Sequence, residues 1–245
     1  MAAEPLAGRR VLVTRPAHQA ENLCRLLRGR GAEPWACPML TLAPLPPPPP
    51  GWWQGYDWLI FVSANAVAFA REAGLPVRPE ARVAAVGRAT AAVLEKAGLT
   101  VACQAPPPYT SESLLTLPVW DGIGGRRVLI VRGRGGRPKL GETLARRGAA
   151  VAYAELYERR PPSPESVARL RQGLAAGLDA VLVSSGEVLA NLCAAVPAGL
   201  RSLPLVVPGE RVARQARAAG FGDVTVAASA LDEAMVAALQ QRLTE

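Results

Sequence analysis

The chain has 245 residues, half of them hydrophobic, which is enough to bury one large core or two modest ones. Its formal net charge of +8 favours an anionic partner such as nucleic acid, a phosphate or a polycarboxylate, although a general preference for arginine over lysine explains most of this charge equally well. Four cysteines without CxxC spacing and a single histidine, His18, argue against a zinc cluster, a disulfide framework and a histidine-based triad. We expect a cytoplasmic protein, since no signal peptide precedes the first strand-like segment and no apolar run has the length of a membrane span.

Short apolar segments alternate with amphipathic segments along the whole chain. RRVLVT (9–14) predicts a strand, which is followed by a helix over 18–30 and a second strand, AEPWAC (32–37). Further strands are predicted at 57–62, 82–86, 100–103, 126–131, 149–156, 179–184, 203–207 and 223–227. The proline run 46–50 predicts an exposed loop. Strands separated by single helices predict an α/β protein with doubly wound parallel sheets.

An internal repeat divides this pattern into two halves. RRVLVTR at 9–15 matches RRVLIVR at 126–132, a displacement of 117 residues. Further along, a displacement of 122 superposes Asp57 on Asp179 and Ser63 on Ser185. We therefore expect two homologous α/β units, with a ligand bound in the cleft between them.

Four turns that follow predicted strands are candidate ligand-binding sites, because ligands bind beyond the carboxyl ends of parallel strands. Their polar and glycine residues are Arg15, the pair Ser63-Ala64 with its counterpart Ser184-Ser185, Gly87 and Thr90 with Arg211 opposite, and Arg132-Gly133. The last pair is predicted to lie in a loop that opens a helix near Arg137. A serine after a strand is also a good helix N-cap, which is the simpler interpretation of Ser63 and Ser185. The RGRGG segment lacks the ending of a phosphate-binding P-loop, so nucleotide binding is weakly supported.

Tyr157 is the one polar aromatic residue at the exit of an apolar strand. The chain shows no paired carboxylates, no nucleophile beside a base and no metal-ligand spacing, so an enzyme of this sequence must work mainly by positioning and by backbone dipoles. The alternative for Tyr157 is a half-buried hinge residue whose hydroxyl bonds to the backbone.

The ordered set of segments resembles the uroporphyrinogen-III synthase family, in its bacterial form, from about residue 9 to the C-terminus. The segments are VLVTRPAHQAENL, DWLIFVSANAV, AVGRATAAVLEKAGL, YTSESLL, VLIVRGRGGRPKLGETLARRGAAV, YERRPP, VLVSSGEVLANL and VPGERVARQARAAGF. The resemblance implies two α/β lobes joined by a two-stranded connector that the chain crosses twice. Residues 1–37 and 160–245 would form one lobe, 42–153 the other, and 38–41 with 154–159 the connector.

The same resemblance implies the reaction. The substrate would be hydroxymethylbilane, a linear tetrapyrrole with eight carboxylates that the preceding deaminase hands over. It would lose water and cyclise with inversion of ring D, through a spiro intermediate and without a metal or organic cofactor. Tyr157 would assist departure of the hydroxyl, since a phenol ordinarily carries its proton at neutral pH.

The resemblance also assigns a substrate-binding role to the turn residues, namely Arg15, Ser63, Ala64, Gly87, Thr90, Arg132, Gly133, Ser184, Ser185 and Arg211. Where some members of the family have a threonine pair, this chain has Glu210-Arg211, so Arg211 is expected to bind a carboxylate instead of donating a hydroxyl.

Two other functions compete with this interpretation. A non-catalytic, two-lobed anion-binding or regulatory protein would use the same turns and would explain the missing acid–base pair. Nucleic-acid binding rests on net charge alone, and the basic residues are scattered without a helix-turn-helix or stacking motif, so no nucleic-acid or membrane partner is expected. No long apolar helix face predicts a partner subunit, so we expect a monomer.

Overall fold

The computed structural model describes residues 6–195 and 199–244, without the side chain of His18. The strands are β1 (Arg10–Val13), β2 (Glu33–Ala36), β3 (Thr41–Pro44), β4 (Trp58–Phe61), β5 (Arg82–Ala85), β6 (Val101–Gln104), β7 (Arg127–Gly133), β8 (Ala150–Arg160), β9 (Ala180–Leu182), β10 (Leu205–Val207) and β11 (Val224–Val226). The α-helices are α1 (Ala17–Arg28), α2 (Ala64–Glu72), α3 (Arg88–Lys96), α4 (Ser111–Leu114), α5 (Lys139–Arg146), α6 (Pro164–Ala175), α7 (Gly186–Ala195), α8 (Glu210–Ala218) and α9 (Asp232–Thr244). A 3-10 turn covers Pro118–Trp120. Within the described ranges, no helix combines the length and apolar character needed to cross a membrane.

The chain forms two compact units. Unit 1 contains the described residues up to Thr41 and from Arg160 onwards, and unit 2 contains Leu42–Arg159. Each unit has one sheet, with strand order β11-β10-β9-β1-β2 in unit 1 and β3-β8-β7-β4-β5-β6 in unit 2. All the pairs of unit 1, and the pairs from β8 to β6 in unit 2, are parallel. The prediction of an α/β fold with two parallel sheets is confirmed.

The two sheets are built from exchanged parts of the repeat. The 117-residue displacement carries β1 and β2 onto β7 and β8, and the 122-residue displacement carries β4, β5 and β6 onto β9, β10 and β11. Unit 1 therefore combines the start of the first repeat with the end of the second, and unit 2 has the complementary parts. Strand for strand the two orders are the same, except that β3 extends unit 2 beyond β8.

The sheet of unit 2 has a buried layer on each face, as expected for strands covered by helices on both sides. Alternate residues of β4 enter different layers: Leu59 and Phe61 pack with α2 and α3, while Trp58 and Ile60 pack with α4 and α5. We call these the α2–α3 face and the α4–α5 face. In unit 1, Val11 and Val13 of β1 pack in the same manner against α1 and α9.

A β-bulge at the end of β8 changes which face its side chains take. Arg132 of β7 pairs with Glu155, but the next residue, Gly133, pairs with Tyr157, so Leu156 is an extra residue in β8. Strict alternation would place Tyr157 on the same side as Tyr153 and Glu155. Because of the bulge, Tyr157 joins Leu156 in the core of the α2–α3 face.

Candidate functional site

The carboxyl edge of the unit 2 sheet brings several of the predicted residues together. Ser63 follows β4, Gly87 follows β5, and Gly133 ends β7, and these three strands are neighbours in the order β7-β4-β5. One detail of the prediction is wrong, because Arg132 and Gly133 belong to strand β7 and not to a loop. The next helix begins at Lys139, two residues after Arg137.

Tyr157 and Ser63 form the centre of this edge. The Tyr157 hydroxyl and Ser63 Oγ lie 3.0 Å apart and share a hydrogen bond. Ser63 is the N-cap of α2, where its Oγ also accepts the N–H of Ala66 at 3.1 Å. The N-cap interpretation is therefore correct for Ser63, and the same hydroxyl contacts the candidate catalytic residue as well.

The ring of Tyr157 is fixed on both sides. Phe69 of α2 stacks on it with ring centroids 4.8 Å apart and an interplanar angle of 16°. Gly133 lies against the ring so closely that a Cβ at that position would fall 2.6 Å from Cε2 and 2.7 Å from Cζ. Tyr157 is 1% exposed, so the expectation of a half-buried residue with its hydroxyl bonded to the backbone is wrong on both counts.

The remaining predicted residues on the α2–α3 face lie at the starts of two helices. Ala64 is the first residue of α2 and is half-buried. Gly87 is the N-cap of α3, and a Cβ on it would lie 3.6 Å from the Oγ1 of Thr90, which is buried. The turns therefore present backbone N–H groups at two neighbouring helix N-termini, an arrangement that favours anions.

Arg132 lies on the opposite, α4–α5 face, and its guanidinium is already bonded. Nε and one terminal nitrogen donate to Glu155 at 3.1 and 2.9 Å. The other terminal nitrogen donates to the carbonyls of Gly136 and Arg137 at 3.1 and 3.4 Å. The guanidinium also stacks on Tyr153, 4.0 Å from the ring centroid. These contacts hold the 134–137 segment in place, so a direct role of Arg132 in binding substrate stays a prediction.

Unit 1 contains the other four predicted residues at its own carboxyl edge. Arg15 forms an ion pair with Asp232 and donates to the carbonyl of Ala230 at 2.6 Å. Ser184 is half-buried, and the Oγ of Ser185 accepts the N–H of Val188 at 3.2 Å, as an N-cap does. Arg211 is exposed on α8.

The cysteines have the properties of structural residues. Burial raises the pKa of Cys37 and of Cys103 to about 11, so both thiols keep their protons at neutral pH and are poor nucleophiles. Cys37 also donates to the carbonyl of Ser166 at 2.8 Å. Over the described ranges, no group of three or more histidine, cysteine or acidic side chains is placed to hold a metal ion.

Comparisons with known proteins identify the family. The family model for "Uroporphyrinogen-III synthase HemD" matches residues 21–237. Curated relatives named uroporphyrinogen-III synthase include those of Escherichia coli, 34% identical, and Salmonella typhimurium, 33% identical; each comparison covers 94% of this chain and 99% of the relative. Among solved structures, the uroporphyrinogen-III synthetase of Helicobacter pylori superposes with a TM-score of 0.64 at 15% identity, over 96% of this chain and 99% of that one. A mutant uroporphyrinogen III synthase from the extremely thermophilic bacterium Thermus thermophilus gives a TM-score of 0.61 at 24% identity, over 97% and 99%. These two likenesses concern the fold, whereas the family model and the curated relatives show that this chain belongs to the uroporphyrinogen-III synthase family.

Proposed function

We propose that this protein is a uroporphyrinogen-III synthase, a lyase that removes water from hydroxymethylbilane and closes the ring with inversion of ring D. The observation that carries the proposal, beyond family membership, is the hydrogen bond between Tyr157 and Ser63 at the carboxyl edge of the unit 2 sheet. This edge is where parallel α/β sheets bind ligands.

In the proposed mechanism, Tyr157 is the proton donor for the departing hydroxyl. The bond between the terminal methylene carbon and its hydroxyl oxygen breaks as the adjacent pyrrole nitrogen supplies an electron pair, the oxygen takes the phenolic proton, and water leaves. Ring D then forms the new carbon–carbon bond to the methylene carbon, and the proton that the substrate loses on ring closure returns to the phenolate. Tyr157 exchanges its hydrogen bond with Ser63 for one to the substrate at this step. The stacked Phe69 and the close backbone of Gly133 keep the phenol in one orientation, so that little reorganisation accompanies proton transfer.

The eight carboxylates of the substrate suit the other groups of the proposed site. The N–H groups at the starts of α2 and α3, beside Ala64 and Gly87, present partial positive charge at the carboxyl edge of unit 2. Within unit 1, the start of α7 beside Ser185 and the exposed guanidinium of Arg211 have the same anion-binding chemistry. Holding the chain folded directs attack to the substituted carbon of ring D, which is what distinguishes this product from the uninverted isomer.

Three further features belong to the same proposal. Units 1 and 2 correspond in this proposal to the two lobes of the family, with residues 38–41 and 154–159 as the connector, the second of which lies within β8. The substrate is received from the deaminase that makes it, and the reaction takes place in the cytoplasm.

An isomer assay tests the function. Hydroxymethylbilane is generated in situ, the purified chain is added without metal or cofactor, and the oxidised products are separated by chromatography. We expect type III uroporphyrin as the main product. Only type I product, formed at the uncatalysed rate by a folded protein, would contradict the enzyme function and favour the non-catalytic anion-binding protein.

A further inference from the structure

A cavity of about 430 Å³ lies at the carboxyl edge of unit 2 on the α4–α5 face, on the other side of the sheet from Tyr157. Its floor is apolar and includes Ile130 of β7. Its wall contains three arginines and several hydroxyls, among them Tyr109, Ser111, Arg132, Arg137 and Tyr153. An apolar floor with a few convergent polar groups is typical of a small-molecule site.

The wall of this cavity offers hydrogen-bond donors that the protein itself does not use. Across the part of the chain that the structure describes, the hydroxyls of Tyr109, Ser111 and Tyr153 make no hydrogen bond. Arg137 contacts Glu112 at 3.4 Å, but its side chain is 70% exposed. An ion pair with this exposure contributes little, so Arg137 can exchange Glu112 for another carboxylate at small cost.

Comparing the two repeats shows that the edge helix of unit 1 begins with a carboxylate that the edge helix of unit 2 does not have. The 117-residue displacement carries Arg15 onto Arg132, so each unit has an arginine at the carboxyl end of the same strand. In unit 1, Arg15 is bonded to the carboxylate of Asp232, the first residue of the helix that follows the edge strand β11. The helix that follows the edge strand β6 in unit 2 begins instead with Ser111. Unit 1 thus supplies a carboxylate from its edge helix, whereas in unit 2 Arg132 bonds to Glu155 of β8 and the edge helix begins with a hydroxyl beside a cavity.

We propose that this cavity binds one carboxylate-bearing side chain of the tetrapyrrole, in the position that Asp232 occupies in unit 1. This inference rests on the proposed function for the identity of the ligand. The carboxylate accepts hydrogen bonds from Arg137 and Ser111, and the methylenes of the side chain pack on Ile130. Arg132 is a positioning residue here, because its bonds to Glu155 and to the loop carbonyls keep Arg137 at the rim.

Kinetics of paired variants test the proposal. The double variant R137Q with S111A removes both donors without touching Tyr157. We expect the KM for hydroxymethylbilane to rise by roughly 10-fold while kcat changes less than about twofold, since a uniform binding contact is lost. R146Q is the matched control, because Arg146 lies on α5 outside the cavity lining and, among the described residues, bonds to Thr143 alone. It should leave both constants unchanged.

A spectroscopic readout separates this proposal from the proposed function. The chain has three isoleucines, of which Ile130 lines the cavity, while Ile60 and Ile123 are buried elsewhere on the α4–α5 face. In methyl NMR, uroporphyrinogen III should shift the Ile130 methyl in the unmodified protein and not in the double variant. Normal type III synthesis with an unmoved Ile130 methyl and an unchanged KM would overturn the cavity proposal alone. A shifted Ile130 methyl without type III synthesis would support the carboxylate site and overturn the enzyme function.

Discussion

The two sheets of this chain are alike at one edge and different at the other. At the amino edge, Asp57 accepts the backbone N–H of Arg127 at 2.7 Å, and Asp179 accepts that of Arg10 at 2.8 Å. Each carboxylate also receives the guanidinium of the arginine just before, at 3.1 Å in unit 2 and 3.0 Å in unit 1. The same residues thus join the same two neighbouring strands in both units.

At the carboxyl edge, the copies have diverged. Ser63 and Ser185 both cap a helix, but only Ser63 also bonds to a tyrosine. Arg15 is bonded to a carboxylate from the edge helix, whereas Arg132 turns to Glu155 on the adjacent strand. The contacts that join neighbouring strands are therefore the same at the amino edge of both sheets. The polar contacts differ at the carboxyl edge, which is the edge where parallel α/β sheets bind ligands.

We expect the largest effect from Y157F, which removes the phenolic hydroxyl that distinguishes the carboxyl edge of unit 2 from that of unit 1. We expect kcat for type III synthesis to fall by about 100-fold, the lower range for loss of a positioned general acid. The free energy of unfolding should fall by only about 1 kcal/mol, since one hydrogen bond is lost. Y56F is the control, because Tyr56 lies beneath Arg127 in the same unit. Full turnover by Y157F would refute the role of Tyr157.

A smaller loss is expected from G133A, which tests whether close backbone packing positions the phenol. A Cβ there would overlap the ring of Tyr157, so the ring or strand β7 must shift. We expect destabilisation by about 1–3 kcal/mol in urea unfolding, and a fall in kcat with KM little changed. G122A is the control, since a Cβ on Gly122 would meet no atom within 4 Å. Equal activity of the two variants would show that the orientation of Tyr157 does not depend on Gly133.

The architecture was predictable because its signals are local. Apolar strands at fixed spacing and the matched RRVLVTR and RRVLIVR segments predicted two parallel sheets, which the structure confirms. The caps at Ser63 and Ser185 were predictable for the same reason, since an N-cap depends on residues within one turn.

The site was less predictable because its geometry depends on contacts between distant segments. Nothing in the sequence around Tyr157 reveals the bulge at Leu156, yet this extra residue decides which face Tyr157 occupies. The bonds of Arg132 to Glu155 follow from strand pairing across 23 positions, so the sequence could not show that its donors are occupied. Arg137 and Ser111 were not singled out as site residues, because only the fold brings them to one cavity.

A pair of matched variants tests whether Ser63 and Ser185 differ in function beyond capping a helix. S63A and S185A should each lower the free energy of unfolding by about 1 kcal/mol, because each removes one helix cap. Of the two, S63A should also lower kcat for type III synthesis, since Ser63 shares a hydrogen bond with the Tyr157 hydroxyl. Urea unfolding and the isomer assay measure the two effects separately. A fall in kcat of the same size in both variants would mean that the two edges act alike.

The smallest expected effect is a change in the free energy of unfolding at acid pH, caused by the contacts of Asp57 at the amino edge of unit 2. The backbone N–H of Arg127, together with the side chain of Arg126, holds the pKa of Asp57 below its usual value. A carboxyl with a lowered folded-state pKa contributes stability that is complete above its unfolded pKa of about 3.9 and is lost as the pH falls through the folded value. In D57N this contribution is absent at every pH, so its unfolding free energy should decline less steeply below about pH 4 than that of the unmodified chain. Urea titrations at a series of pH values measure the slope, with D121N as the control, because Asp121 is 77% exposed and 3.8 Å from Arg147. Equal slopes of unfolding free energy against pH below about pH 4, for D57N and the unmodified chain, would show that this carboxylate does not stabilise the amino edge. The two sheets would then be alike at that edge in geometry and not in stability.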